Sequence, residues 1–152
     1  VRPEERAREL RLVLPEPPKP LGAYAPAVAA GGLLFVSGML PVKEQRPVWT
    51  GRLGAEVTLA EGREAARLAA LNGLAAARAA MGSLDRLRRV ARLTVHIAAA
   101  ADFTAHAAVA DGASELLAAL FQAGGGHARL ALGASSLPAG VPVELEMIFE
   151  LA

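Results

Sequence analysis

The stretch "HARLALGASSLPAGVPVELEMIFE", His127 to Glu150, holds two apolar runs, and the second alternates strictly. Val143, Leu145, Met147 and Phe149 fall on one side of an extended chain, and Glu144, Glu146, Ile148 and Glu150 fall on the other. Ala128 to Leu132 and Pro142 to Phe149 therefore read as two strands. After Arg129 no charge follows until Glu144. Each charged group sits inside an apolar strand, where it reaches water, pairs with another charge, or serves a ligand.

Upstream, "LRRVARLTVHIAA" sets Leu93, Val95 and Ile97 against Arg92, Thr94 and His96, the period of a strand with one buried face. Asp102 is placed to cap a helix over "FTAHAAVADGASELLAALF", which ends before Gly124 to Gly126. Before that strand, "TLAEGREAARLAALNGLAAARAAMG" opens with Thr58 and Glu61 at capping-box spacing and ends on Gly82 at the left-handed C-terminal position. "APAVAAGGLLFVSGMLPV" reads as a hairpin turning at Gly31-Gly32 and ending in a bend. Its second strand, Leu33 to Ser37, is apolar on both faces and so central or covered. The order is hairpin, helix, strand, helix, two strands, which predicts an α+β layer with two helices on one face of a mixed sheet.

"RPEERARELRLVL" reads as a short N-terminal helix with Pro3 near its start and Glu4 and Glu5 at the favourable end. "PEPPKP", Pro15 to Pro20, follows as a stiff spacer. Residues 1–20 are thus expected to be an appendage, and residues 21–152 a single domain.

The 152 residues are 53% hydrophobic but only 4% aromatic, so burial must come from close packing of small side chains. A net charge of +1, from mixed acidic and basic residues, leaves no broad footprint for nucleic acid or a membrane surface, and a small molecule or protein is the expected partner. Leu21 to Val42 is uncharged, long enough to span about 30 Å of hydrocarbon, but Pro26 and four glycines interrupt it. No cysteine is present, which excludes disulfides, thiolate metal sites and a cysteine nucleophile, and points to a cytoplasmic location.

Several signals fail. His96, His106 and His127 lack metal-ligand spacing, so no metal is expected. Gly124 to Gly126 follow a helix and lack the Lys-Ser/Thr of a phosphate loop. Ser37 lacks the flanking pattern of a nucleophile elbow. "DRLRRVAR", Asp85 to Arg92, has no interleaved aromatics and reads as a solvated edge.

"LGAYAPA", "LLFVSGMLP", "VARLTVHIA", the "DF" ahead of the second helix, and "ARLAL" with "LPAGVPVELEMI" resemble, in this order, the Rid family of reactive intermediate deaminases, also called YjgF-type or L-PSP endoribonuclease-like proteins. The likeness spans roughly Leu21 to Glu150. It implies a chorismate-mutase-like fold, assembly as a homotrimer with sites in the clefts between subunits, and hydrolysis of enamine and imine intermediates to 2-keto acids and ammonia without cofactor. On the same ground Arg129 is the substrate-binding arginine, Glu144 the carboxylate that positions or activates water, and Tyr24, Ser37 and Gly38 further site residues.

Two positions depart from the pattern. Ala131 stands where those enzymes usually carry cysteine, leaving only a backbone amide to serve, and Asp111 stands where they often carry asparagine. An ionised Asp111 near a substrate carboxylate repels it, so either it points away or the substrate differs.

The residue chemistry is consistent with that implication. A planar carboxylate calls for the planar double donor of an arginine, and hydrolysis of a C=N bond needs water and a proton acceptor, for which a carboxylate of raised pKa is suited. The sequence reading is that Arg129 and Glu144 converge on one ligand. A non-catalytic trimer that binds small carboxylates is the alternative, with ribonuclease action behind it.

Overall fold

The computed structural model describes every residue from Val1 to Ala152. Strands β1 (Ala27–Ala30) and β2 (Leu33–Met39) form the hairpin, joined through Gly31 and Gly32 at φ 58° and 78°, a region open to glycine. Next comes a two-residue pair, β3 (Val42–Lys43) and β4 (Arg46–Pro47). Its turn places Glu44 and Gln45 at positive φ, which no Asn-Gly signal in the sequence announces. Helix α2 (Leu59–Met81) carries the expected capping box between Thr58 and Glu61 and stops at a left-handed Gly82. Strand β5 (Leu87–Ala98), helix α3 (His106–Leu120), β6 (Ala128–Ala134) and β7 (Val143–Leu151) complete the fold.

The five long strands form one sheet in the order β1-β2-β7-β5-β6, antiparallel throughout except for the parallel β5/β6 pair. Leu93, Val95 and Ile97 of β5 register with Met147, Leu145 and Val143 of β7, and all six are buried beneath the helices. Both helices lie on this face. Ala65, Ala66, Ala69 and Ala70 of α2 are fully buried, so small side chains do fill the core. At the α2/α3 crossing, a methyl group on Gly112 would drive into the backbone carbonyl of Arg63. Arg63 also donates to the Ala108 carbonyl at 2.8 Å and to both oxygens of Glu115.

Two expectations change. Asp102 does not cap α3: a turn closed by Phe103 N–H on the Ala100 carbonyl delays the helix to His106, with Ala105 at the N-cap and no side-chain cap. Phe103 packs on the core and meets the His106 ring edge-on, which holds this longer approach. Nor does the N-terminal helix α1 (Pro3–Glu9) stand apart. Ala7 is buried in the main core, Leu12 and Leu14 pack against it, and Arg6 Nε donates to the Ala119 carbonyl at 2.9 Å. The Glu4 carboxylate accepts the Leu84 N–H at 2.9 Å and pairs with Arg78 at 3.0 Å. The proline segment then crosses the domain, where the Lys19 N–H donates to Gln45 Oε1 at 3.3 Å. No helix is long and apolar enough to cross a membrane.

Candidate active site

Glu144 projects from the sheet face that carries no helix, since its neighbours Val143 and Leu145 face the core. Next to it, β2 bulges. Val36 pairs with Met147 and Met39 with Leu145, so Ser37 and Gly38 together oppose one residue, Glu146. Gly38 leaves the space that the carboxylate occupies: Glu144 Oε2 lies 2.9 Å from where a β-carbon at Gly38 would stand. A cavity of ≈ 80 Å³ opens here, lined by Glu144, Gly38, Tyr24, Leu40, Pro18 and Leu21 among others. The proline segment thus forms part of its wall.

Burial raises the Glu144 pKa above the ordinary carboxylate range, His96 opposes that shift, and Glu146 adds to it. His96 is the direct cross-strand partner of Glu144. Tyr24 accepts the Leu21 N–H on its hydroxyl at 3.1 Å, which folds the ring over the proline segment. The Ser37 hydroxyl donates to the Ala25 carbonyl at 2.7 Å and its N–H to the Pro26 carbonyl, so this serine extends the β1/β2 pairing.

Arg129 lies elsewhere. In the β5/β6 register Leu93 stands opposite Arg129, and His96, the partner of Glu144, stands opposite Leu132. Alternation along β6 then puts Arg129, Ala131 and Gly133 on the helix side of the sheet and Leu130 and Leu132 on the open side. Within one chain, Arg129 and Glu144 occupy opposite faces and do not converge. The guanidinium instead meets α3, donating from Nη1 to Asp111 Oδ1 at 2.6 Å and to Ser114 Oγ at 3.1 Å. Asp111 therefore points at the arginine. Ala131, behind it, packs against the core.

The His127 ring nitrogen Nε2 is 2.9 Å from Ser114 Oγ. Burial, and then the Arg129 charge, lower the pKa of His127. Ser114 Oγ accepts from Arg129 Nη1, and in the neutral imidazole that the lowered pKa favours, with Nε2 unprotonated, the Ser114 hydroxyl donates to that nitrogen. No group of three His, Asp or Glu side chains is gathered closely enough to hold a metal ion.

The model of the family described as "YjgF/chorismate_mutase-like, putative endoribonuclease" matches residues 4–150. This chain belongs to that family. The YjgF-type match begins inside α1, which accords with the docking of that helix on the core. Protein TCP17 of Trypanosoma cruzi is 40% identical over 145 residues, covering 95% of this chain and 91% of TCP17. Among solved structures, the protein Atu1372 of Agrobacterium tumefaciens, of unknown function, is 38% identical with a TM-score of 0.89, over 99% of this chain and 92% of that one. A "putative endoribonuclease" from Shewanella oneidensis MR-1 superposes at a TM-score of 0.94 with 33% identity, over 99% and 100% of the two chains. RidA from an Antarctic Psychrobacter is more distant: 25% identity, TM-score 0.60, over 89% and 94%.

On this YjgF-type scaffold the residues singled out in the sequence form two groups. Tyr24, Gly38 and Glu144 share the cavity on the open side, with Ser37 at its margin, while Arg129, Asp111 and Ala131 lie along the β6/α3 seam. His96, Ser114 and His127 were missed as neighbours of these groups. Each histidine is isolated in sequence, and only strand register or helix packing brings it to its partner.

Proposed function

We propose that the chain hydrolyses enamine and imine intermediates of amino acids to 2-keto acids and ammonia, without a cofactor, in clefts between the subunits of a homotrimer. The observation that carries this reading is Glu144: a half-buried carboxylate of raised proton affinity facing a small cavity beneath Tyr24. Water adds to the C=N carbon as Glu144 takes its proton. That proton passes to nitrogen, giving the carbinolamine; its hydroxyl then yields a second proton, through Glu144, to the amine as the C=O bond forms and the C–N bond breaks, releasing ammonia and the keto acid. Arg129 supplies a forked cation for the carboxylate of the substrate. Imines are already labile in water, so orientation and proton transfer suffice.

Because Arg129 and Glu144 of one chain face opposite ways, a joint site requires the open face of one subunit to meet the β6/α3 seam of the next. The open face suits burial. Val28, Phe35 and Ile148 lie side by side across β1, β2 and β7, and Phe35 and Leu130 are 42% and 45% exposed. Phe35→Asp is expected to convert particles of three times the 15.6 kDa chain mass into monomers, as read by light scattering. A monomeric wild type would remove the basis for a shared cleft.

The direct test supplies freshly generated 2-iminopropanoate and follows keto acid release. Wild type accelerates the reaction, and Arg129→Ala loses about 10²-fold or more. Absence of acceleration together with binding of 2-keto acids would identify a non-catalytic carboxylate-binding trimer. Ribonuclease action draws less support, since Arg88 and Arg89 of the basic cluster are both paired with Glu150.

A further inference from the structure

The guanidinium of Arg129 is held from one side only. Nη1 makes both bonds to α3, while Nε and Nη2 have no hydrogen-bond partner in the chain. Asp111 is likewise half used: Oδ1 takes the arginine, Oδ2 has no partner, and the side chain is 46% exposed. A free two-donor edge and a free anionic acceptor therefore stand side by side. Ser114 adds a second hold on Nη1 and so determines which edge of the fork stays open.

The charges around the pair are accounted for. Glu115, the other acid on this part of α3, is paired with Arg63 at 2.8 Å, Arg63 also feels the charge of Asp111, and burial together with the Arg129 charge disfavours protonation of His127. Arg129 and Asp111 together carry no net charge. A simple carboxylate approaching the open fork meets attraction from Arg129 and repulsion from Asp111. A molecule that carries its own cation next to the carboxylate meets attraction from both.

We propose that Arg129 and Asp111 form a zwitterion-matched site, which takes a substrate carboxylate on the Nε/Nη2 edge and the protonated nitrogen of the same molecule on Asp111 Oδ2. This deepens the deaminase reading and rests on it. The species held is the primary iminium, whose C=N carbon is more electrophilic than that of the neutral imine, and the keto acid product, having lost its cation, is released. Asp111 is the residue that determines specificity: it selects N–H-bearing zwitterions and turns away plain carboxylates.

Calorimetric binding of two stable probes tests this, with alanine as the zwitterion and pyruvate as the bare carboxylate. Wild type binds alanine more tightly than pyruvate. In Asp111→Asn, alanine weakens and pyruvate tightens, each by about tenfold, so the preference reverses. If both ligands shift in the same direction, Asp111 only positions Arg129 and the inference fails. If neither binds wild type, it fails as well. Asp111→Ala, checked for native melting, serves if the asparagine variant does not fold. Hydrolysis of 2-iminopropanoate is measured alongside. A crossed binding pattern without hydrolysis sinks the deaminase reading and leaves the zwitterion site, whereas hydrolysis with an uncrossed pattern sinks this inference alone.

Discussion

Replacing Glu144 with glutamine lowers the rate of imine hydrolysis by about 10²–10⁴-fold, the usual contribution of a positioned proton acceptor. Glutamine keeps the volume and fills the same space against Gly38, so the loss reports the proton chemistry. In wild type the rate falls as pH drops through the Glu144 pKa. Since burial raises that pKa, the acid limb lies above the ordinary carboxylate range, and in Glu144→Gln it disappears. Stability moves the other way. A carboxyl group whose pKa is higher folded than unfolded costs stability once it ionises, so the cost is absent at low pH and grows as pH rises through the raised value. Glu144→Gln should therefore melt above wild type at neutral pH, with the gap closing in acid. An unchanged acid limb in the variant would assign the base elsewhere.

The second large effect concerns folding. Gly112→Ala is expected to cost about 2–3 kcal/mol, a fall of about 5–10 °C in thermal midpoint, although alanine is the better helix former by about 1 kcal/mol. The obstacle is the Arg63 carbonyl, a backbone group within α2 that has no rotamer to escape into. Gly73→Ala on α2 is the control. Its new methyl would meet the tip of the Met147 side chain, which can swing aside, and about 1 kcal/mol is expected. The order of the two losses decides the matter: if Gly73→Ala costs as much as Gly112→Ala, backbone contact does not set the helix spacing. Moving α3 off α2 also displaces Asp111 and Ser114, so the Arg129 network should loosen in the same variant.

Much of the architecture was legible because it rests on local physics. Thr58 and Glu61 cap α2 through bonds within four residues, and the alternation of Val143 to Glu150 fixes both faces of β7 whatever lies beside it. The site was legible only in part. In "ARLAL" the leucines look like core residues, which would send Arg129 to the open side with Glu144. The β5/β6 register does the reverse: Leu130 and Leu132 lie on the open face, which carries an apolar patch at Val28, Phe35 and Ile148, and Arg129 turns to α3. No single strand carries that information, since the face of an edge strand depends on which partner residue it stands beside. The docking of α1 was hidden for a related reason. Ala7 looks unremarkable in a charged helix, and Glu4 finds its partners at Arg78 and Leu84, far along the chain.

The position of β7 bears on how the protein is made. Strand β7 is made after the other four strands of its sheet, yet it fills the middle, between the early hairpin and the β5/β6 pair. Until it arrives, β2 and β5 each present an unpaired edge and α2 lacks the strand it packs on at the centre, the condition under which nascent chains aggregate or recruit chaperones. Assembly of the sheet is therefore a late event, and slow translation over the codons for β7 would prolong the vulnerable interval.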